Sequence, residues 1–213
     1  MNPPVSTLPD QAPRWRLKPE SLEAKELASA TGLPLVLAQL LAQRGIATAP
    51  ETRDFLVPKL AHLSDPQEIP EMRQGIDRLF QAIDRQEKVI LYGDYDVDGV
   101  TSVALMHLTL KAYGLETNYF VPMRLEEGYG LSLDGLGRCI EEFGKPDLVI
   151  ALDCGTTSTG ELQWLADQGV DAVIIDHHEL APEGRPVCTA LVNPKQGDAF
   201  HYFCTAGLVF KVA

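Results

Sequence analysis

Three aspartates lie at alternate positions between an apolar stretch at 89–92 and a glycine. They are Asp94, Asp96 and Asp98, and Gly99 follows them. Carboxylates this close together repel one another, and each costs free energy to remove from water. A divalent cation offsets both costs, because carboxylate oxygens are the ligands that hard cations prefer. The spacing therefore predicts a metal site, with a solvated acidic turn that caps the next helix as the alternative.

Two later apolar stretches also end in side chains that can bind a metal. Asp153 follows the stretch 148–152, and an Asp-His-His triplet at 176–178 follows the stretch 172–175. Carboxylates and imidazoles together favour Mn²⁺, with Mg²⁺ as a second choice, and favour Zn²⁺ less where thiolate ligands are lacking. Asp153 has the alternative of capping a helix, and the histidines have the alternative of one packing inside while the other faces solvent. Three strand ends with such ligands predict a metal-dependent enzyme.

Two common loops that share part of this pattern do not fit. An EF-hand needs a bidentate glutamate at loop position twelve, which is Leu105 when counting starts at Asp94, and a helix before the loop. A dinucleotide-binding turn needs the pattern Gly-x-Gly-x-x-Gly, which is missing here, and the carboxylates would repel a pyrophosphate. Both classes of site are therefore excluded at this segment.

The elements that must position these side chains alternate between strands and helices. The predicted strands are 88–92, 117–121, 147–152, 171–175 and 189–192, and the predicted helices between them are 99–113, 132–143 and 157–168. Continuous apolar strands that alternate with helices predict an α/β fold with a parallel five-stranded sheet and helices on both faces. The functional site of such a sheet lies beyond the carboxyl ends of its strands, where the acids and histidines lie.

A small helical extension is predicted before this α/β domain. Ser21 is a good cap for a first helix, and apolar residues recur at helical spacing over 68–86. The predicted domains are a lead-in with a helical extension at 1–67 and the α/β domain at 68–213. A last helix begins near Thr205 and meets no stop signal. We therefore expect the sequence to be the N-terminal part of a longer protein, with its α/β domain cut short at the carboxyl end.

The composition limits the functional classes and the cellular locations that are compatible with the sequence. The net charge of −12 argues against a generic nucleic-acid coat protein, because phosphate contacts need Lys and Arg. A nuclease stays compatible with it, because bound cations reverse the local field. No apolar stretch is long enough to span a membrane, and the first residues lack a signal-peptide core. The four cysteines form no Cys-x-x-Cys pair, which predicts reduced thiols and a cytoplasmic location.

Taken in chain order, these motifs resemble those of the DHH phosphoesterase superfamily, which is named after the triplet at 176–178. Two further segments, Glu127-Gly-Tyr-Gly-Leu-Ser132 and Leu191-Val-Asn-Pro194, are most similar to its RecJ branch. Members of that branch are exonucleases that are specific for single-stranded DNA and digest it from the 5′ end. The resemblance covers about residues 68–213 and looser similarity extends into the helices before them.

The resemblance implies a set of metal ligands. Asp96 and Asp98 are similar to paired ligands that each hold one of two metals, and Asp153 resembles the carboxylate that bridges both. His177 is similar to the metal-binding histidine of the triplet. Many relatives carry a further histidine at the position of Tyr92, and Asp94 would replace it as a ligand, as in RecJ-like members.

The resemblance also implies catalytic and substrate-binding roles. Asp153, His177 and His178 would be catalytic, with His178 facing the substrate phosphate and Asp176 orienting its neighbours from behind. Arg124 is a weaker candidate for contact with a substrate phosphate, because the glycines around it are also explained by a turn.

The function implied is phosphodiester hydrolysis with two Mn²⁺ ions, or Mg²⁺, by a 5′-to-3′ exonuclease on single-stranded DNA in recombination and repair. A single-strand-binding protein or a helicase is a candidate partner, and no membrane is expected. One alternative is a DHH phosphoesterase for oligonucleotides, cyclic dinucleotides or pyrophosphate, and another is a non-catalytic DHH scaffold. The superfamily's fourth-motif aspartate and second domain do not occur in this sequence, so we expect it to have little activity by itself.

Overall fold

The computed structural model describes residues 18–122, 130–182 and 184–213. The chain divides into two compact units, one that ends at Leu63 and one that spans Ser64–Ala213. This division falls slightly before the expected domain boundary between residues 67 and 68, which stays a prediction. Within the described ranges, no helix has the length and apolar character that a membrane span requires.

The first unit is helical. Its helices are α1 (Leu22–Thr31), α2 (Leu35–Ala42) and α3 (Ala49–Leu56), and a 3₁₀ turn follows at Leu60–His62. The Ser21 hydroxyl caps α1 by accepting from the amide of Ala24, as the sequence predicts. Thr48 and Glu51 cap α3 reciprocally. A small apolar core of Leu27, Ala38 and Leu41 holds α1 and α2 together.

The second unit alternates strands and helices. Its elements are α4 (Met72–Arg85), β1 (Val89–Gly93), α5 (Val97–Ala112), β2 (Thr117–Phe120), α6 (Leu133–Phe143), β3 (Leu148–Leu152), α7 (Thr159–Asp167), β4 (Asp171–Ile175), β5 (Ala190–Val192) and α8 (Thr205–Val212). Short 3₁₀ turns lie at Pro66–Glu68 and Pro194–Gln196.

The described strands form one parallel sheet in the order β2-β1-β3-β4-β5. Apolar side chains on alternate positions of each strand enter two separate cores. One core contains Leu91, Ile150 and Val173 with residues of α4, α5 and α8. The other contains Ile90 and Val149 with residues of α6 and α7. The α/β fold with helices on both faces is therefore confirmed. The strand order reverses between β1 and β3, where ligand sites of open α/β sheets are found.

The start of α5 packs directly on the end of β1. A Cβ atom on Gly99 would overlap the carbonyl oxygen of Asp94 and would lie 2.8 Å from its Cα. A Cβ atom on Gly93 would overlap the side chain of Val103. These two glycines allow the helix to begin with only three residues between it and the strand, so Asp94 and Asp96 lie in a short turn between two rigid elements and Asp98 lies in the first turn of α5.

We expect Gly99→Ala to destabilise the protein by about 1–3 kcal/mol, because the new methyl group must displace the main chain of Asp94. Thermal unfolding followed by circular dichroism measures the effect. Gly137→Ala is the matched control: it lies inside α6, and an added Cβ atom would meet no other atom within 4 Å. This substitution should stabilise the helix by about 0.5–1 kcal/mol. Equal melting temperatures for Gly99→Ala and the wild-type protein would contradict the packing argument.

Candidate functional site

The strand register places three aspartates in one row at the carboxyl edge of the sheet. Gly93 pairs with Leu152, and Leu152 pairs with Ile175. Each of these three residues is followed by an aspartate, and the amide of that aspartate extends the hydrogen bonding between neighbouring strands by one residue. The amide of Asp94 donates to Leu152, that of Asp153 to Ile175, and that of Asp176 to Val192, at 3.1–3.2 Å. All three are almost fully buried.

Asp94 and Asp96 occupy the turn between β1 and α5. The Asp94 carboxylate accepts from the amide of Tyr95 at 2.8 Å. Asp96 caps α5 by accepting from the amides of Asp98 and Gly99 at 2.8 and 3.0 Å. The helix therefore begins at Val97 rather than at Gly99, where the sequence pattern placed its start. The hydrogen bond from Gly99 is the largest influence on the pKa of Asp96 and helps to lower it.

Asp153 is the common member of two groups of ligand atoms. One oxygen each of Asp94, Asp96 and Asp153 lie within 4.8 Å of one another, and so do ligand atoms of Asp153, His177 and His178. Asp153 has a φ of +63°, a left-handed conformation that aspartate tolerates better than most residues. Burial raises its pKa to about 7, and the negative charges of the neighbouring aspartates add to this effect. Its carboxylate accepts a hydrogen bond from the Thr205 hydroxyl at 2.8 Å, which opposes the rise.

Asp98 has a second set of contacts that the sequence pattern did not indicate. Its carboxylate accepts from the amides of Thr205 and Ala206, both at 2.8 Å, at the amino end of α8. One of its oxygens lies 3.7 Å from Nε2 of His177. Among the described residues, Asp98 is in neither of the two closely spaced groups. The structure thus places Asp98 beside the site, bound to the helix that also supplies Thr205.

The buried carboxylate of Asp176 organises the triplet. One oxygen accepts from the amides of His177 and His178 at 2.7 and 3.2 Å, and from Nδ1 of His178 at 2.7 Å. The other oxygen accepts from the amide of Thr156 at 3.2 Å. Burial opposes ionisation of Asp176, but these hydrogen bonds outweigh it and lower the pKa. Asp176 therefore stays ionised and fixes the main chain and the ring behind the site.

The two histidines have different environments. Nε2 of His177 lies 3.5 Å from Oδ1 of Asp153. His178 is half-exposed, and its hydrogen bond to Asp176 is the main reason why its pKa rises to about 9. Without metal, His178 therefore carries a positive charge at neutral pH. A positive ring at the opening of an acidic site suits an anionic substrate.

Thr205, Asn193 and Thr156 also support the site, and the sequence analysis assigned none of them a role there, although Asn193 lies in a segment noted as similar to the RecJ branch. Thr205 bonds to Asp153, as described above. The fully buried side chain of Asn193 donates to the Thr156 hydroxyl and to the His178 carbonyl, both at 3.0 Å. Asn193 thereby ties the loop after β3 to the triplet after β4. The Asn-Pro pair directly after the last strand was the available signal, since asparagine before proline is typical of a turn with side-chain hydrogen bonds.

The sequence singled out two further residues, Tyr92 and Arg124. Tyr92 is fully buried on the face of the sheet covered by α6 and α7, with its ring 5.4 Å from that of Phe120. Its hydroxyl donates to the carbonyl of Gly130 at 3.4 Å. Tyr92 thus packs in the core. Arg124 lies outside the described residues, so its proposed contact with phosphate stays a prediction.

The donor set fits a hard divalent cation. Four carboxylates and two imidazoles converge at the edge of the sheet. His177 and His178 both approach the buried carboxylate of Asp153, and the pKa of Asp153 is nevertheless raised, mainly by burial. Oxygen and imidazole ligands without thiolates match the chemistry of Mn²⁺ and Mg²⁺. The cost of gathering these charges is what a bound cation would offset.

Known proteins are similar to this chain in sequence and in structure. The family model described as "DHH family, N-terminal domain" matches residues 88–213. The single-stranded-DNA-specific exonuclease RecJ of Bacillus subtilis (strain 168) is 38% identical over 204 residues, which cover 94% of this chain and 26% of that protein. The chain spans about a quarter of the length of the curated relatives that it matches.

Two solved structures are similar to this one. A crystal structure of exonuclease RecJ bound to manganese has 31% identity and a TM-score of 0.61, covering 68% of this chain and 36% of that one. RecJ from Thermus thermophilus in complex with Mn²⁺ has 26% identity and a TM-score of 0.69, covering 89% of this chain and 26% of that one.

The raised pKa of Asp153 predicts a pH-dependent stability of the metal-free protein. A carboxyl group whose pKa is higher in the folded state stabilises the fold at low pH and loses that contribution as the pH rises through about 7. Asp153→Asn keeps an acceptor for Thr205 and removes the charge. With EDTA at pH 8 it should raise the melting temperature by on the order of 5 °C, and the gain should shrink towards pH 5. Asp84→Asn, at an exposed position of α4, is the control. A pH-independent gain would contradict the account.

The ion pair between Asp176 and His178 predicts a second measurable shift. In metal-free Asp176→Asn the pKa of His178 should fall from about 9 towards its ordinary value of 6.5, because the negative partner is lost. Titration of the His178 ring proton by NMR measures it, with His178→Gln to assign the signal. A pKa that stays near 9 in the variant would show that another group sets it.

Proposed function

The chain belongs to the DHH family, and from this we propose that it is the metal-binding domain of an exonuclease that hydrolyses phosphodiester bonds of single-stranded DNA. The observation that carries the proposal is the position of Asp153. It is buried, it has a raised pKa, and it is shared by two groups of ligand atoms from three different strand ends. A packing role alone would not require six ionisable side chains at one edge of a sheet.

The two ligand groups support the proposal that two cations bind, with Asp153 between them. Asp94 and Asp96 would complete one group, and His177 the other, with Asp98 close to His177. We propose Mn²⁺ as the resident cation and Mg²⁺ as a substitute, and the manganese-bound RecJ structures support this choice. Bound divalent cations activate water and neutralise negative charge on the phosphate.

The remaining residues of the site orient groups and bind the substrate. Asp176 holds the ring of His178 through Nδ1, so the cationic ring is directed by a fixed carboxylate. His178 would contact the substrate phosphate through its other nitrogen. Thr205 fixes one oxygen of Asp153, and Asn193 prevents the two loops that carry Thr156 and His178 from separating. Arg124 is proposed as a further phosphate contact.

The substrate and the cellular role rest on the relatives. The curated relatives are named as exonucleases specific for single-stranded DNA. We propose that this chain's protein acts on the same substrate, from the 5′ end, in recombination and repair in the cytoplasm. A single-strand-binding protein or a helicase is the proposed partner. Residues 68–213 are the proposed catalytic domain and residues 1–67 its extension.

The test is nucleotide release from a 5′-phosphorylated single strand by the protein expressed from its complete reading frame. Release should depend on Mn²⁺ and stop on addition of EDTA. Asp153→Asn should slow it by more than about 100-fold, since even a residue behind a metal ligand is worth 10–100-fold. Asp84→Asn should leave the rate unchanged, because this residue is exposed on α4.

A wild-type rate in Asp153→Asn would contradict the metal-dependent mechanism. Equally efficient cleavage of a dinucleotide and of a long single strand would contradict the proposed substrate and would favour a phosphoesterase for small nucleotides.

A further inference from the structure

Three aromatic rings contact one another in the segment that leads into α8. They belong to Phe200, Tyr202 and Phe203, with ring centroids 4.9 Å apart for Tyr202–Phe203 and 6.0 Å for Phe200–Phe203. The tilted rings are at the separation at which aromatic pairs attract each other. The segment therefore forms a small aromatic cluster at the carboxyl edge of the sheet.

Tyr202 is the exposed ring of this cluster, and Phe200 and Phe203 are partly buried. Phe203 packs along α8, where its ring would be 3.0 Å from a Cβ atom on Gly207 and lies 5.8 Å from Nζ of Lys211. Phe200 packs against the apolar core. Tyr202 is 78% exposed and lies on Phe203. The two inner rings thus hold the outer ring in a fixed place.

The main chain of the cluster is held in a costly conformation. Phe200 has a φ of +67°, which is unusual for a bulky residue. Such conformations cost on the order of 1–3 kcal/mol and are concentrated at functional sites.

The cluster adjoins the metal-binding residues through α8. Thr205 donates its hydroxyl to Asp153 and its amide to Asp98, both at 2.8 Å. Thr205 is three positions after Tyr202, so at most about 11 Å of main chain lies between them. The exposed ring is therefore within reach of a nucleotide next to one bound at the site.

We infer that Tyr202 is a stacking platform for a base of the single-stranded DNA substrate, and this inference rests on the proposed function. Every base has a flat face, so stacking binds single strands without sequence preference, whereas duplex bases already stack on one another. The chain has 18 Lys and Arg residues against 30 Asp and Glu residues, and this net charge of −12 opposes binding through phosphate contacts alone. Stacking supplies affinity that does not depend on positive charge.

The test is equilibrium binding of a fluorescent single-stranded oligonucleotide in EDTA, where no metal-dependent cleavage occurs, to the protein expressed from its complete reading frame. Tyr202→Ala should weaken binding about 10-fold, the middle of the range for loss of one stacked base. Tyr202→Trp should retain it. Tyr113→Ala is the matched control: this half-exposed tyrosine follows the end of α5, about 24 Å along the helix from Asp96.

A second oligonucleotide, with abasic sites in place of the 5′-terminal bases, identifies the interaction. The wild-type protein and Tyr202→Ala should bind it with equal affinity, since there is no base to stack. The inference would be overturned if Tyr202→Ala bound the normal strand with wild-type affinity. It would also be overturned if the substitution weakened binding of the normal and the abasic strand equally. Melting temperatures confirm that each variant is folded.

The outcome separates this inference from the proposed function. If the protein releases nucleotides with Mn²⁺ but Tyr202→Ala binds the normal strand as well as the wild type does, the proposed nuclease function stands and the stacking role of Tyr202 is wrong. A protein that shows the base-dependent loss in Tyr202→Ala, but releases no nucleotide with Mn²⁺, retains a base-stacking surface and loses the nuclease function.

Discussion

Repulsion between buried carboxylates is the constraint on which this structure depends. The sheet places Asp94, Asp153 and Asp176 side by side, almost without contact with water. Hydrogen bonds from main-chain amides and from His178 compensate Asp176, whose pKa stays low. Asp153 receives one hydroxyl donor and keeps a pKa of about 7. The protein thus leaves an uncompensated electrostatic cost at Asp153, the residue where the two ligand groups meet.

The fold produces this arrangement through register and close packing. Parallel strands in register bring residues far apart in sequence to the same level, and only three residues lie between the end of β1 and the start of α5. Gly99 permits that start after β1 by lying against the main chain of Asp94. Asp98 and Asp153 both bond to the start of α8, so this helix is part of the site's framework. The same hydrogen bonds therefore hold the candidate site together and attach α8 to the rest of the second unit.

Local patterns in the sequence were sufficient to predict the sheet and the aspartates at its carboxyl edge. Apolar strands ending in Asp94, Asp153 and Asp176 are visible as spacing alone, and the structure brings their carboxyl ends together. Thr205 and Asn193 were not predicted, because their roles consist of hydrogen bonds to partners far along the chain. The start of α5 was placed too late, because a capping aspartate and a ligand aspartate look the same in a sequence. Whether an aspartate caps a helix, binds a metal or does both depends on the direction of its carboxylate oxygens, which a sequence does not show.

The central proposal is that Asp153, together with the ligand groups on either side of it, would hold two divalent cations. Crystals grown with Mn²⁺ and measured at the manganese absorption edge test it directly, because the anomalous signal locates the ions independently of any assumed ligand. We expect two peaks, each within about 2.5 Å of a carboxylate oxygen of Asp153, one towards Asp96 and the other towards His177. No peak at this edge of the sheet, or peaks only at other acidic surfaces, would contradict the account.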